Sequence, residues 1–262
     1  IKNKIDEEEI PASHTTPDAI QLNELLARMV EKGCKYCFME VSSHAVIQNR
    51  IKGLQFAGGI FSNLTHDHLD FHKTFEAYLK AKKLFFDTLS PEAFALTNID
   101  DRNGRVMIQN TAAKRKTYSL LSLADFKGKI IESPLHGLHM EFDGIAAWCR
   151  LVGLFNGYNL LAAYSAAVLL GEDPTEVLTI LSNLGSVEGR FDYLRSQEGT
   201  VGIIDYAHTP DALKNVLDTI HQLRKGKETL ITVVGCGGDR DRSKRPVMAN
   251  IACSGSEKLI LT

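Results

Sequence analysis

Apolar positions recur along this chain at helical spacing in some stretches and at strand spacing in others. Over residues 17–31 the apolar set Ile20, Leu22, Leu25, Leu26, Met29 and Val30 follows a helical period, and Gly33 ends it. Short apolar runs at 36–41 and 59–64 predict strands, 74–89 a helix, and Phe94–Asn98 another strand. From about residue 114 to 149 the pattern breaks into short segments punctuated by Gly and Pro, which predicts an antiparallel patch. An Ala-rich helix over 157–170 and a second over 174–181 follow.

After Ser186-Val187-Glu188-Gly189 the rhythm restarts. It runs strand Val201–Ile204, helix Pro210–Leu223, strand 230–234, loop 235–243, helix 246–252 and strand 259–262. Strands alternating with helices define an α/β fold with a largely parallel sheet. Two units are expected, 1–187 and 188–262, the second incomplete.

Composition narrows the class. The 262 residues are 44% hydrophobic and 24% charged, ordinary for one large or two moderate globular domains. A net charge of -2 supplies no basic field for nucleic acid or an anionic membrane, and the acidic run Asp6-Glu7-Glu8-Glu9 reads as a solvated loop. No apolar run approaches the roughly 18 residues that span a bilayer, and no signal peptide opens the chain. The expectation is a cytoplasmic protein with no nucleic-acid and no membrane partner. Reduced cysteines fit that compartment. Cys34-Lys35-Tyr36-Cys37 has CxxC spacing but no second pair to complete a zinc site, so it reads as two buried strand thiols. Both ends read as cut, and the chain as a fragment.

Five segments carry candidate chemistry. In the 74–89 helix, Phe75, Tyr78, Leu79, Lys82 and Phe86 share one face, while Glu76, Lys80, Lys83 and Asp87 form the solvated face with two i,i+4 charge pairs. Lys82 is either a snorkelling lysine or one whose pKa burial lowers, giving a neutral amine able to take up carbon dioxide as a metal-binding carbamate. His66-Asp67-His68-Leu69-Asp70-Phe71-His72 follows a predicted strand, where α/β sheets place ligands, and its donors suit Mg²⁺ or Mn²⁺; equally, its aspartates could cap the next helix. Glu40, at the end of Phe38-Met39, could reach a cation or simply face solvent. Asp205-Tyr206-Ala207-His208-Thr209-Pro210 ends a strand and could contact a nucleotide, or Asp205 could cap the helix. Gly235 to Pro246 offers backbone N–H groups and cations to an anion, without a Gly-Lys-Ser/Thr ending or Rossmann glycine spacing.

The order of these segments resembles the Mur ligase family. The resemblance rests on His14-Thr15-Thr16-Pro17-Asp18, on Met39 to His44, on Asn63 to Asp70 and on Ala81-Lys82. It continues through Gly153-Leu154-Phe155-Asn156-Gly157-Tyr158-Asn159, Gly189-Arg190-Phe191-Asp192, 205–210 and 235–246.

What the resemblance implies is an ATP-dependent ligase adding a third amino acid, meso-diaminopimelate or L-lysine, to UDP-N-acetylmuramoyl-L-alanyl-D-glutamate in peptidoglycan synthesis. ATP phosphorylates the terminal carboxylate, the amine attacks the acyl phosphate, and two Mg²⁺ ions neutralise the transferred group. By the same resemblance Glu40, His68 and a carbamylated Lys82 would be metal-binding and catalytic. Thr15, Thr16, Ser42, Gln48 and Arg50 would grip the nucleotide-peptide substrate, Arg50 through its planar fork unless it makes a surface salt bridge. Asn159, Arg190, Asp205 and His208 would contact ATP, and Arg242 and Arg245 would lie near the incoming amino acid. The fold implied is a P-loop-type central ATPase domain with a Rossmann-like C-terminal domain, in a monomer. The family's Gly-Lys-Thr phosphate loop and N-terminal domain are expected ahead of residue 1, so this chain alone is not expected to turn over ATP. Two alternatives stay open: a folylpolyglutamate synthetase-like ligase, and a metal-dependent phosphohydrolase using His66, Asp67, His68 and Asp70.

Overall fold

The computed structural model of the chain describes residues 2–65, 69–236 and 244–262, with backbone alone at 69 and 70. In chain order the elements are β1 (Lys2–Ile5), β2 (Glu8–Pro11), α1 (Ala19–Glu31), α2 (Ser43–Ile47), β3 (Gly58–Phe61), α3 (Leu69–His72) and α4 (Phe75–Asp87). Then come β4 (Phe94–Asn98), α5 (Gly104–Met107), β5 (Lys114–Ser119), β6 (Phe126–Glu132), β7 (Leu138–Phe142), β8 (Ile145–Cys149), α6 (Leu154–Leu169) and α7 (Pro174–Asn183). The last are β9 (Asp192–Arg195), β10 (Val201–Ile204), α8 (Pro210–Leu223), β11 (Ile231–Val234), α9 (Lys244–Ser254) and β12 (Lys258–Leu261). The α/β class is as expected. By compactness the chain divides into residues 1–59, 72–95 and 106–115 on one side and 60–71, 96–105 and 116–262 on the other.

In the first unit the acidic run is solvated as expected, but only its first half, Asp6-Glu7, is a turn. Asp6 turns the chain at φ 55°, and Glu8 and Glu9 lie in β2, paired antiparallel with β1. Lys2 meets Glu9 at 2.6 Å and Arg28 meets Glu8 at 2.8 Å, exposed pairs that water and salt screen. Asp18 starts α1 by accepting the Ile20 and Gln21 N–H groups. The helix buries Leu22, whereas Ile20 and Val30 are each 74% exposed.

Residues 36–41 do not form the expected strand. Cys34 is half-buried and Cys37 exposed, so the paired buried thiols are not seen. The segment instead leads into α2, whose first turn is capped by the Ser42 hydroxyl accepting the Ala45 N–H at 3.2 Å.

Helix α4 is confirmed, capped by Thr74, but its buried face is Tyr78, Ala81, Phe85 and Phe86. Tyr78, Ala81 and Phe85 fall at i, i+3 and i+7, so the stripe is rotated from the expected one and Lys82 borders it, half-buried. Lys83 is not solvated: its side chain is 13% exposed and paired with Asp87. Lys80 does face solvent, at 2.8 Å from Glu76.

The strand order β3-β4-β5-β6-β7-β8 forms one sheet. Strands β5 and β6 are parallel, and β6, β7 and β8 form the antiparallel patch. In β7, Leu138, Met140 and Phe142 alternate inward and are fully buried. On the opposite face His139 lies directly across from Trp148, the rings stacked at 4.7 Å. Helix α6 covers β6 and β7 with Leu160, Leu161 and Tyr164. Toward the C-terminus, β10 pairs antiparallel with β9, which the sequence pattern did not reveal. Strands β11 and β12 are parallel, with Leu213 and Leu217 of α8 and Met248 and Ala252 of α9 forming their core. No helix of the described residues is long and apolar enough to cross a membrane.

One close approach fixes the end of β4. A Cβ on Gly104 would lie 1.9 Å from the Asn98 carbonyl oxygen, backbone that has no room to retreat. Gly104→Ala should therefore destabilise the chain by about 1–3 kcal/mol, read as a lower urea midpoint at unchanged slope. A midpoint equal to the native one would show that α5 shifts freely.

Candidate functional site

Two clusters gather most of the candidate residues. The first lies in the first unit and is built on Thr16, which is fully buried. Its hydroxyl donates to the Glu40 carbonyl at 2.7 Å and accepts the Ser42 N–H at 3.2 Å. Residues 39–42 thus have no ladder partner here but hang on one side chain 24 to 26 positions away. Arg50 completes the knot, donating Nη1–H to the Thr16 carbonyl at 2.8 Å and Nε–H to Gln48 Oε1 at 2.9 Å. Two of its five donors are so engaged, it forms no ion pair with a described residue, and the remaining fork suits a carboxylate or phosphate. The surface salt bridge considered for it is not seen. Thr15, Glu40 and Gln48 are exposed beside this knot, and Ser42 is half-buried.

The same run reaches α4 through an imidazole. His72 is buried, its Nε2 lies 2.8 Å from Ser43 Oγ, and its ring stacks on Tyr78 at 5.2 Å. The Lys82 ammonium sits over that Tyr78 ring, 5.4 Å from its centroid. An aromatic face attracts a cation by about 0.5–2 kcal/mol, so the neighbours of Lys82 do not simply disfavour its charge. Glu40 and Lys82 are therefore linked through Ser43, His72 and Tyr78. His68, the third expected metal ligand, lies outside the described residues, as do Arg242 and the rest of 237–243. Among the described residues no group of three His, Cys, Asp or Glu side chains is placed to hold a metal ion.

The second cluster lies in the second unit. Asp205 accepts the Phe191 N–H at 2.8 Å, with Phe191 held at φ 47° after Gly189 at φ 69°. The Tyr206 N–H bonds the Gly189 carbonyl, and the Arg190 guanidinium lies over the Tyr206 ring at 5.0 Å. His208 returns to the Tyr206 carbonyl at 3.0 Å. Asp205 thus ties two loops together, while Thr209 is the residue that caps α8, accepting the Ala212 N–H.

Phe191 also borders a cavity of about 290 Å³ together with Arg150, Val152, Asn156, Ser186 and Tyr193. Asn156 is buried there, donates to the Val152 carbonyl at 2.8 Å, and accepts from Asn159 Nδ2 at 3.2 Å. None of the expected ATP residues Asn159, Arg190, Asp205 and His208 is among those bordering this cavity; Asn159 bonds Asn156, and Asp205 bonds the Phe191 backbone, two residues that do border it. Arg245 is half-buried on α9, apart from these bonds.

Sequence reasoning left His72, Ser43, Tyr78 and Asn156 without roles. All four stand inside the segments it singled out, so residue type flagged their neighbourhood; their contacts depend on the fold.

Polar groups and a cavity beyond the ends of strands are the arrangement in which α/β proteins place ligands. The chain belongs to the Mur ligase family: the Mur ligase middle domain matches residues 1–167, and the Mur ligase glutamate ligase domain matches residues 189–262. It is 63% identical over its whole length to the UDP-N-acetylmuramoyl-L-alanyl-D-glutamate--2,6-diaminopimelate ligase of Cytophaga hutchinsonii, covering 54% of that protein. A solved structure bearing the same ligase name superposes with a TM-score of 0.73 at 35% identity, over 97% of this chain and 54% of the other. The folylpolyglutamate synthase of Thermotoga maritima shares the fold at a TM-score of 0.55 with 15% identity, over 77% of this chain and 53% of that one. The chain thus spans about half the length of the curated relatives it matches.

The Thr16 knot carries a direct test. Thr16→Val keeps the volume but leaves the Glu40 carbonyl and Ser42 N–H unpaired, at a cost of about 1–3 kcal/mol. The Ser42 amide should exchange with solvent faster than in the native protein. Unchanged exchange at Ser42 would show that the hydroxyl holds nothing.

Proposed function

We propose that the whole protein joins 2,6-diaminopimelate to UDP-N-acetylmuramoyl-L-alanyl-D-glutamate, hydrolysing ATP, in the cytoplasm and as part of peptidoglycan synthesis. The observation that supports this reading is that Thr16, Ser42, Gln48 and Arg50 meet in one hydrogen-bonded knot that also holds the Glu40 carbonyl, with Thr15 next to Thr16 in the chain. The 63% identity to a diaminopimelate ligase favours that amino acid over L-lysine. Domain limits of 1–187 and 188–262 belong to the same proposal, as does a monomer.

The chemistry proposed is the one that membership of the Mur ligase family implies. A terminal carboxylate oxygen of the nucleotide-peptide attacks the γ-phosphorus of ATP, ADP leaves, and an acyl phosphate results. The amine nitrogen of the amino acid then attacks the carbonyl carbon, phosphate departs, and the amide loses a proton. Arg50, through the guanidinium N–H groups not used by Thr16 and Gln48, holds an anionic part of the substrate. Arg190, Asp205 and His208 hold the nucleoside around the Phe191 cavity with Asn159, Asp205 toward the ribose. The family resemblance assigns Arg242 and Arg245 to the incoming amino acid.

The donors fit Mg²⁺, which takes oxygen ligands: the exposed carboxylate of Glu40, a carbamate on Lys82, and His68 as a further ligand. Bound there, two Mg²⁺ ions would neutralise charge on the transferred phosphoryl group. Lys82 reaches the carbamate when its neutral amine attacks carbon dioxide, forming an N–C bond and releasing a proton. The Tyr78 ring, 5.4 Å from the Lys82 ammonium, favours the cationic form beforehand.

An assay of the complete enzyme with ATP, the UDP-muramoyl dipeptide and each diamino acid tests the reading; absence of ligation with both overturns it. Lys82→Ala should abolish ligation with no recovery in bicarbonate, and near-native turnover would remove the carbamate. Arg50→Ala should raise the KM for the nucleotide-peptide far more than that for ATP. Equal effects on the two would mean Arg50 serves another part of the site.

A further inference from the structure

Asp100 sits at the turn after β4 and gathers four donors from two later segments. It accepts Ser119 Oγ at 2.7 Å, the Leu120 N–H at 2.8 Å, the Leu121 N–H at 3.1 Å and the Tyr158 hydroxyl at 3.0 Å. Burial alone would raise this carboxyl's pKa, but the bonds from Ser119, Leu120, Tyr158 and Leu121 outweigh it and hold the group below the usual carboxylate range. On the other partner, burial and then the bond to Asp100 push the Tyr158 hydroxyl well above its ordinary value. The pair is therefore a charge-assisted bond from a protonated phenol to an ionised carboxylate, the stronger kind. Next in the chain, Asp101 turns the other way and accepts the Leu64 N–H at 3.0 Å.

The position of Tyr158 gives this bond its meaning. Helix α6 begins at Gly153, whose φ of 94° and missing side chain leave the first turn without a capping hydrogen bond. Its opening turns carry Asn156, which borders the cavity, and Asn159, which donates to Asn156. The Asn156 side chain already bonds back to the Val152 carbonyl, so a tie from Tyr158 to another segment is a second, long-range constraint on these turns. Tyr158, between the two asparagines, is tied to a point 58 residues away in sequence.

We infer that Asp100 is a positioning residue for the nucleotide site: through Tyr158 it holds the first turns of α6, and so the Asn156 amide at the border of the Phe191 cavity and the Asn159 amide bonded to it. It touches no substrate itself. The inference rests on the reading of that cavity as the ATP site.

The test uses the complete enzyme with saturating UDP-muramoyl dipeptide and amino acid while ATP is varied. Tyr158→Phe removes one hydroxyl and keeps the ring packing; it should raise the KM for ATP by about tenfold, equivalent to about 1.4 kcal/mol. The KM for the nucleotide-peptide and kcat should stay native. Asp100→Asn should act in the same direction and more strongly, and Tyr158→Phe serves alone if that variant does not fold. A KM for ATP unchanged in Tyr158→Phe overturns the inference, as does an equal rise in both KM values, which marks a general loss of structure. Native enzyme that ligates without needing ATP, or not at all, overturns the reading of the cavity together with the inference.

Discussion

One buried imidazole ties the candidate centre together. Residues 36–42 belong to no strand, so their position beside α4 is not set by a ladder. His72 supplies the link: its Nε2 meets Ser43 while its ring lies against Tyr78, the aromatic face over which Lys82 extends. Glu40, three residues before Ser43, and Lys82, four after Tyr78, are related through that contact. A ring with both a directional bond and a large stacked face fixes more degrees of freedom than either interaction alone.

The Thr16 hydroxyl is the complementary constraint. It orients the Glu40–Ser42 backbone from one side, and Arg50 closes the loop by binding the Thr16 carbonyl. In the second unit the same device recurs in another form. Asp205 binds the Phe191 backbone, Asp100 binds the turn after β5, and each carboxylate gathers loops that have no regular secondary structure of their own. Side-chain oxygens bonded to backbone N–H groups, more than sheet ladders, shape both clusters.

The sequence pattern was legible where periodicity and punctuation agree. Strand β4, strand β10 and helix α8 fall at the expected residues, the last because Thr209-Pro210 is a strong start signal. Strands β1 and β9 were missed because Lys2-Asn3-Lys4-Ile5 and Asp192-Tyr193-Leu194-Arg195 carry too few apolar residues to read as strands. The run 36–41 read as a strand on apolar content, yet its partner turned out to be a single threonine. The face of α4 was misjudged by one position because Ala81, too small to weigh in a pattern of large residues, lies at its centre.

For the site, motif order placed the right segments, since each has its chemistry in its residue types. Contacts such as His72 with Ser43, 29 residues apart, or Tyr158 with Asp100, depend on tertiary closure that no local spacing encodes.

The proposed function requires Lys82, a cation over the Tyr78 ring, to become a carbamate anion. The most direct measurement is a ¹³C NMR spectrum of the complete protein in ¹³C-labelled bicarbonate, with Lys82→Met as the comparison. The account predicts a carbamate signal in the native protein that is absent in the variant and broadens when paramagnetic Mn²⁺ is added. A spectrum without that signal, or with one that persists in Lys82→Met, would contradict it.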